Sequence, residues 1–249
     1  MKPLVRIDQL LVERGLAASR HKAQAMVLAA EVLVDEQKID KPGRRVPPDA
    51  SVRLLGQKLP YVGRGGLKLA AALDRFHIDV ANRVCLDVGA STGGFTDCLL
   101  QRGASKVYAV DVGQNQLDWK LRSDPRVVSL ERVNARSLSS EQILEPCGFF
   151  CCDVSFISVT LILPVIGALL TPEADAVVLC KPQFEVGKGE VGKGGVVRDP
   201  ALHQAAADKV SDAVRAMGFQ KVESMESPVL GAEGNLEFLI HGSELSRSK

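Results

Sequence analysis

The stretch that decides the fold is RVCLDVGASTGG, residues 83–94, in which an apolar run passes through an acid into glycines. A short apolar run bounded by glycine is typical of a buried strand, and the glycines allow a tight turn into a helix. Gly89, Gly93 and Gly94 would also let a ligand approach the backbone closely. The stretch therefore predicts a strand–turn–helix unit with a binding site at its turn.

The alternation of strand and helix continues to the end of the chain. Further strands are predicted at KVYAVDVG (106–113), RVVSLE (126–131), GFFCCDVSFIS (148–158) and ADAVVLCK (174–181), with helices at GGFTDCLLQRG (93–103), NQLDWKLR (115–122), VTLILPVIGALL (159–170) and PALHQAAADKVSDAVRAMGF (200–219). QKVESMESP (220–228) and NLEFLIHG (235–242) predict a closing hairpin. Repeated units of this kind indicate an α/β fold, with a mostly parallel sheet and helices on both faces.

An acid at the end of the second strand suggests a cofactor. Asp111 lies 22 residues after Gly89, where an acid often accepts hydrogen bonds from a ribose. Ser91 replaces the second glycine of the dinucleotide-binding motif, which argues against NAD. The turn suits S-adenosylmethionine, which has no pyrophosphate, although a glycine-rich turn without a ligand is the alternative. The predicted cofactor-binding residues are Asp87, Gly89, Ala90, Ser91, Thr92, Gly93, Gly94, Phe95, Asp111 and Asn134.

The first sixty residues differ from the rest in charge. They hold eleven Lys and Arg against seven Asp and Glu, whereas residues 61–249 hold twenty against twenty-three. Gly15 ends a first predicted helix, Ser19 caps a second, and short strands follow. We expect a boundary near residue 60 and a basic module that binds a polyanion. A solvated basic face is the alternative.

Several classes of protein are disfavoured. The first fifteen residues are charged throughout, unlike a secretory signal, and the longest apolar run, 159–170, is shorter than the roughly 20 residues that cross a bilayer. The six cysteines form no CxxC pair and have no histidine at ligand spacing. We therefore expect a cytoplasmic protein with buried, reduced cysteines and without a metal site or membrane span.

Four ionisable residues occupy unusual places. Lys68 follows the glycines of GRGG (63–66), Asp153 and Lys181 end the fourth and fifth strands, and Glu237 lies in an apolar run. A charge in such a run is costly unless it is paired. Each residue alone could be a structural ion-pair member. Together they place two cations and two anions at one edge of the sheet.

These residues carry a resemblance to known families. The blocks GRGGLKL, DVGASTGGFTD, CDVSFIS, CKPQFE and GNLEFL resemble the FtsJ-like ribose 2'-O-methyltransferases, whose Lys-Asp-Lys-Glu tetrad falls on Lys68, Asp153, Lys181 and Glu237. Residues 6–46 resemble an S4-type RNA-binding domain. With both parts, nearly the whole chain is similar to the TlyA (haemolysin A-like) family of rRNA methyltransferases.

The resemblance implies a fold and a function. We expect a Rossmann-like S-adenosylmethionine-dependent methyltransferase fold with a mostly parallel seven-stranded sheet at residues 61–249. A small α+β S4-like domain is expected at residues 1–60. The implied reaction is 2'-O-methylation of a cytidine in 23S rRNA, with 16S rRNA as a second candidate substrate, within ribosomal subunits or their precursors. The rival functions are a non-catalytic ribosome assembly factor and a membrane-active haemolysin.

The chemistry of a ribose hydroxyl assigns a role to Lys181. The hydroxyl is a poor acid, and an amine can accept its proton only when the amine is neutral. Burial and the positive charge of Lys68 would favour the neutral form, so Lys181 is the predicted general base. Asp153 and Glu237 would position the two lysines, although four coupled groups titrate as one unit.

Basic residues of the S4-like segment and of the methyltransferase-like segment are predicted to contact RNA. A glycine-rich segment, 185–198, follows Lys181 and would fold over the RNA backbone. A flexible crossover with no ligand role is the alternative. The predicted RNA-binding residues are Arg6, Arg14, Arg20, Lys22, Arg44, Arg45, Arg64, Lys188 and Lys193.

Overall fold

The computed structural model describes residues 3–55, 60–192 and 194–246, and the chain divides into two compact units, Met1–Lys58 and Leu59–Lys249. The elements of the first unit are β1 Val5–Arg6, α1 Ile7–Glu13, α2 Arg20–Leu28, β2 Val32–Val34, β3 Gln37–Ile39, β4 Arg45–Val46 and β5 Val52–Leu54. The strands form a β3-β2-β5 antiparallel sheet and a separate β1-β4 pair.

Local signals set the helices of the first unit. Ser19 caps α2, because its hydroxyl accepts a 3.2 Å hydrogen bond from the Lys22 amide, and Gly15 follows α1 with φ of +67°. The Pro- and Gly-containing stretch KPGRRVPP (41–48) predicts a loop, but Arg45 begins β4 and pairs with Arg6. Two-residue strands carry no periodic pattern that sequence reasoning can detect.

The second unit is built on one sheet. Its elements are α3 Gly65–Phe76, β6 Val84–Val88, α4 Gly94–Gln101, β7 Lys106–Asp111, α5 Trp119–Arg122, β8 Val127–Glu131, β9 Cys147–Cys152, α6 Leu163–Ile166, β10 Leu170–Cys180, α7 Pro182–Glu185, α8 Pro200–Ala216, β11 Phe219–Glu226 and β12 Phe238–Leu245. The seven strands are ordered β11-β12-β10-β9-β6-β7-β8, and β12 runs antiparallel to both its neighbours. The predicted mostly parallel seven-stranded sheet is confirmed.

Core packing on both faces explains the continuous apolar strands. Phe149 and Phe150 are consecutive in β9 and fully buried, and successive side chains of a strand point to opposite faces. Phe149 packs in the cluster that includes Leu69 of α3, whereas Phe150 packs in the cluster that includes Val210 of α8. A strand covered on both sides reads as a continuous apolar run rather than an alternating one.

Two predicted helices differ from those found. Residues 159–170 form two 3-10 turns around the four-residue α6, because Pro164 has no N–H to donate within a continuing helix. The helix predicted at 115–122 is shortened to α5. Asp118 caps α5 through a 2.9 Å hydrogen bond from the Lys120 amide, and Asn115 has φ of +56°, outside helical geometry.

The strand order places a crevice at the end of β6. The chain runs from β6 outward to β7 and β8, then returns to β9 on the other side of β6, and ligands of open α/β sheets bind at such reversals. Gly89, directly after β6, has φ of +86°, and a Cβ there would lie 2.3 Å from the carbonyl oxygen of Asp153. Glycine is therefore required where the ends of β6 and β9 meet.

Candidate active site

Three adjoining cavities lie at the carboxyl edge of the sheet, and Asp153 and Ser155 line all three. The lysine cavity, of about 600 Å³, is lined by Lys68 and Lys181 among others. The Asp111 cavity, of about 460 Å³, contains Asp111. The glycine-turn cavity, of about 210 Å³, is lined by residues of the turn that follows β6. Asp153 therefore stands at the junction of the whole site.

The first ion pair of the site joins two neighbouring strand ends. Asp153 directly follows β9 and Lys181 directly follows β10, and these strands are parallel neighbours. Lys181 Nζ lies 2.6 Å from Asp153 Oδ1, an ion pair without hydrogen-bond alignment. The same Nζ donates a 2.8 Å hydrogen bond to Ser155 Oγ. The ammonium is thus held by two oxygens from one loop.

The second ion pair is more deeply buried. Lys68 Nζ, in the first turn of α3, donates to Glu237 Oε2, and the two residues are 8% and 2% exposed. Glu237 was predicted within a strand, but β12 begins only at Phe238. A Cβ at Gly231 would lie 2.1 Å from Glu237 Oε1, so the loop before β12 closes tightly over this carboxylate.

The four ionisable residues singled out in the sequence line one cavity. Each lysine faces a carboxylate, so the site has two ion pairs rather than two isolated ammonium groups. A buried charge requires such a partner. The arrangement agrees with positioned lysines, and the catalytic role of each residue remains a prediction.

The Asp111 cavity presents polar groups beside apolar walls. Asp111 accepts backbone hydrogen bonds from Ser91 at 2.8 Å and from Gly113 at 2.7 Å. Asn134, whose Oδ1 accepts from the Arg136 amide at 3.1 Å, lines the same cavity. The backbone thus fixes both polar side chains in place.

Most of the predicted cofactor-binding residues reach a cavity, but two do not. Gly89, Ala90, Ser91, Thr92, Gly94 and Phe95 line the glycine-turn cavity. Asp87 and Gly93 line none of the three cavities. Gly93 has φ of +98° and faces Leu117 and Leu121, and Asp87 is fully buried and accepts a 2.6 Å hydrogen bond from Thr96 Oγ1. Both residues support the turn from beneath rather than facing a ligand.

Burial has an electrostatic consequence for Asp87. Desolvation raises the pKa of this carboxyl to about 7, the hydrogen bond from Thr96 opposes the rise, and the negative charge of Asp153 adds to it. Asp87 Oδ1 is buried, and no hydrogen-bond partner for it is found within residues 3–55, 60–192 and 194–246. Asp87 is therefore protonated in the folded protein at pH values where an exposed aspartate is ionised.

Asp87→Asn is expected to stabilise the protein at pH 8 and to have little effect at pH 4. The folded pKa lies above the usual 3.8, so stability is lost as pH rises from 4 to 7, on the order of 4 kcal/mol. Asparagine stays neutral and keeps an acceptor for Thr96. Denaturant unfolding of both proteins at pH 4 and pH 8 measures the difference. A difference that does not change with pH would contradict the assignment.

Three arginines of the first unit, Arg6, Arg14 and Arg20, make contacts within that unit. Asp8 is fully buried and accepts hydrogen bonds from Arg6 at 2.9 and 3.0 Å and from Arg20 at 3.1 Å. These contacts lower the pKa of Asp8, with the Arg6 hydrogen bond as the largest cause. Arg14 donates to the carbonyls of Pro48 and Ala50 at 2.6 and 2.7 Å. Structural contacts thus occupy three of the predicted RNA-binding arginines.

Four of the other predicted RNA-binding residues are exposed to solvent. Lys22, Arg44 and Arg45 are exposed. Arg64 is also exposed, and it lines both the lysine cavity and the glycine-turn cavity. Lys188 begins a short 3-10 turn, Lys188–Glu190, and Lys193 lies outside the described residues.

Sequence reasoning missed functional candidates after Asp153. Ser155 and Phe156 were placed in a strand over 148–158, yet β9 ends at Cys152. Phe156 is 92% exposed with φ of +66°, and it lines the lysine and Asp111 cavities. The centroid of its ring lies 5.4 Å from the centroid of the Phe184 ring. The acid within an otherwise apolar run was the signal that the strand had ended.

All six cysteines are buried, and burial raises the thiol pKa of Cys98 and Cys147 to about 12. Among the residues described, no cluster of His, Cys, Asp and Glu could hold a metal ion. Within the same ranges, no helix has both the length and the hydropathy to cross a bilayer.

Comparison with known proteins gives matches along both units. The family model for FtsJ-like methyltransferase matches residues 61–244, and that for the S4 domain matches residues 5–52. The chain is 48% identical over 237 residues to "Putative rRNA methyltransferase YqxC" of Bacillus subtilis, covering 95% of this chain and 84% of that protein. It is 45% identical over 236 residues to "16S/23S rRNA (cytidine-2'-O)-methyltransferase TlyA" of Mycobacterium tuberculosis, covering 94% and 88%.

A solved structure extends the match to three dimensions. "Putative hemolysin from Streptococcus thermophilus" aligns with a TM-score of 0.73 at 41% identity, covering 98% of this chain and 89% of that one. The resemblance seen in the sequence blocks is confirmed by both kinds of comparison. The chain, which joins an S4 domain to a methyltransferase domain, therefore belongs to the FtsJ-like methyltransferases and, within them, to the TlyA group of rRNA methyltransferases.

Proposed function

We propose that the protein transfers a methyl group from S-adenosylmethionine to the ribose 2'-hydroxyl of a cytidine in rRNA. The principal substrate is 23S rRNA, and 16S rRNA is the second to be tested. The observation that carries the proposal is the Lys181–Asp153 ion pair at the junction of the three cavities. A methyl donor on one side and a ribose on the other would meet at this pair.

The residues around the turn fit S-adenosylmethionine. Gly89 lines both the Asp111 cavity and the glycine-turn cavity, and Asp111 and Asn134 offer polar groups in a cavity with apolar walls, as a nucleoside requires. Asp111 Oδ1 and Oδ2 each accept one backbone hydrogen bond, and a carboxylate oxygen can accept a second. When bound, S-adenosylmethionine supplies a methyl group on a positively charged sulfur.

The ion pairs supply the remaining chemistry. Lys181, with a side chain only 12% exposed, would take the proton of the 2'-hydroxyl in its neutral form. Asp153 would hold the amine in place and stabilise the ammonium that results. The Lys68–Glu237 pair would fix the part of the lysine cavity wall that it forms. Alignment of the ribose oxygen with the methyl group would supply much of the rate.

The rRNA would be held mainly through its phosphates. Exposed Lys22, Arg44 and Arg45 in the S4 unit and exposed Arg64 at the cavities are suited to phosphate contacts. Aromatic residues make up only 4% of the chain, which is few for a protein that stacks many single-stranded bases. Recognition of a folded subunit by shape, with one nucleotide turned out toward the site, fits both observations.

Labelled-methyl transfer to separated 30S and 50S particles, followed by mapping of the modified nucleotide, tests the proposal. Transfer to a cytidine ribose of the 50S particle is the expected result, and transfer to 30S would add 16S rRNA as a substrate. Methylation of a base instead of a ribose would contradict the reaction. Binding of cofactor and subunits without transfer to either would favour the non-catalytic assembly factor.

Replacing Lys188 and Lys193 together with alanine should weaken binding to ribosomal subunits without changing the affinity for S-adenosylmethionine. If each lysine contacts one phosphate, the dependence of log affinity on log salt should fall by about two. Lys221, at the far edge of the sheet in β11, provides the control, Lys221→Ala. Unchanged subunit binding across salt concentrations would show that this loop does not contact RNA.

A further inference from the structure

The hydroxyl of Ser155 occupies a position that the family tetrad does not explain. Ser155 follows Asp153 by two residues, and with Asp153 it lines all three cavities. Its Oγ accepts a 2.8 Å hydrogen bond from Lys181 Nζ. Among the described residues, no second hydrogen bond reaches the Ser155 side chain, and the residue is exposed. A hydroxyl that packs in no core has no evident structural task.

The backbone holds this hydroxyl in place. Phe156, the next residue, has φ of +66°, a conformation that is rare for a bulky side chain and costs about 1–3 kcal/mol. Such a conformation persists only where the surroundings fix it. On the other side of Ser155, the Asp153 amide donates a 2.9 Å hydrogen bond to the Val88 carbonyl. The loop from 153 to 156 is thus a defined turn that presents Ser155 to the cavities.

A count of protons shows what the serine does for the amine. A neutral lysine amine has two N–H bonds and one lone pair. Ser155 Oγ at 2.8 Å accepts one of those N–H bonds, and Asp153 Oδ1 lies 2.6 Å from the nitrogen as its ion-pair partner, without hydrogen-bond alignment. The hydrogen bond to Ser155 and the attraction to Asp153 both hold the nitrogen against the loop, which leaves the lone pair free to face the cavity. Without Ser155, the amine could rotate about its last C–N bond and lose that direction.

We infer that Ser155 is a positioning residue for proton transfer, which directs the lone pair of Lys181 at the ribose hydroxyl. The inference rests on the proposed function. In the reaction, the ribose O–H bond breaks and an N–H bond forms on Lys181, while the oxygen gains the methyl group and the sulfur keeps the electron pair of the broken S–C bond. The ammonium that results keeps Ser155 as an acceptor and Asp153 as its ion-pair partner.

Ser155→Ala and Ser155→Thr test the inference in the methyl-transfer reaction. Ser155→Ala should lower kcat about 10- to 100-fold with little change in KM, since a hydrogen bond to a charged group is lost in the transition state. Ser155→Thr keeps the hydroxyl and should stay within a few-fold of the unaltered protein. Ser105→Ala, an exposed serine before β7 at the opposite edge of the sheet, is the control and should leave kcat unchanged.

A second measurement probes the Lys181 amine directly and does not depend on methyl transfer. Acetylation of Lys181 by acetic anhydride, followed by peptide mass spectrometry, reports how accessible the amine is to a reagent. Ser155 holds the amine against the loop through its 2.8 Å hydrogen bond, so acetylation of Lys181 should be several-fold faster in Ser155→Ala. It should be unchanged in Ser155→Thr and in Ser105→Ala.

The outcomes separate this inference from the function on which it rests. Failure of the unaltered protein to methylate either subunit contradicts the proposed function. If that protein is active, full kcat in Ser155→Ala contradicts the role of the serine alone. Equal loss in Ser155→Thr and Ser155→Ala would show that the hydroxyl is not what matters, and it would also overturn the inference.

Discussion

Lys181→Ala should keep the fold and the affinity for S-adenosylmethionine and lose methyl transfer to the 50S particle. Removing a general base costs about 10²- to 10⁴-fold in rate. The loss leaves Asp153 without its cation, but the Asp153 side chain is 21% exposed, so water can solvate the carboxylate. Stability should therefore change much less than activity.

Lys181→Arg distinguishes proton transfer from charge. Arginine keeps a cation beside Asp153, but its guanidinium stays protonated and cannot act as a base. We expect this variant to be as inactive as Lys181→Ala in single-turnover transfer. Calorimetry with S-adenosylmethionine and thermal unfolding supply the controls for cofactor binding and fold. Substantial transfer by Lys181→Arg would mean that position 181 contributes charge rather than basicity.

The parts of the site that follow strands could be predicted from sequence. Asp153 and Lys181 each follow a continuous apolar run, and parallel strands bring such ends to one edge of the sheet. Asp111 and Gly89 follow the same rule at β7 and β6. The pattern of buried strands thus determined where the charges lie, before any contact between them was known.

The parts that depend on loops could not be predicted. The burial of Asp87 depends on how the turn after β6 folds over it. The apolar pattern of the strand is the same whether the carboxylate of Asp87 points toward the cavities or toward the core. Ser155 was hidden because β9 ends at Cys152, six residues before the end of the predicted strand. The pairing of Lys68 with Glu237 joins residues far apart in the chain, for which a single sequence offers no pairing signal.

Breaking the buried ion pair should have the largest effect on stability. Lys68→Met keeps most of the volume of the lysine stem but leaves Glu237, 2% exposed, without its cation. Removing one partner of a buried pair costs about 3–5 kcal/mol, because the remaining charge stays desolvated. Denaturant unfolding of the methyltransferase unit at pH 7 should show this loss, and Glu237→Leu alone should show a similar one.

The double variant Lys68→Met, Glu237→Leu separates structure from catalysis. Replacing both charges by apolar groups of similar size is often neutral or even stabilising, by about 1–4 kcal/mol, so the double variant should recover most of the lost stability. Methyl transfer should remain low if the pair also orients the active-site wall beside Lys181. A double variant with normal transfer would restrict the pair to a structural role. If Lys68→Met proved as stable as the unaltered protein, the burial of an unpaired charge could not be the reason why this lysine and this glutamate occur together.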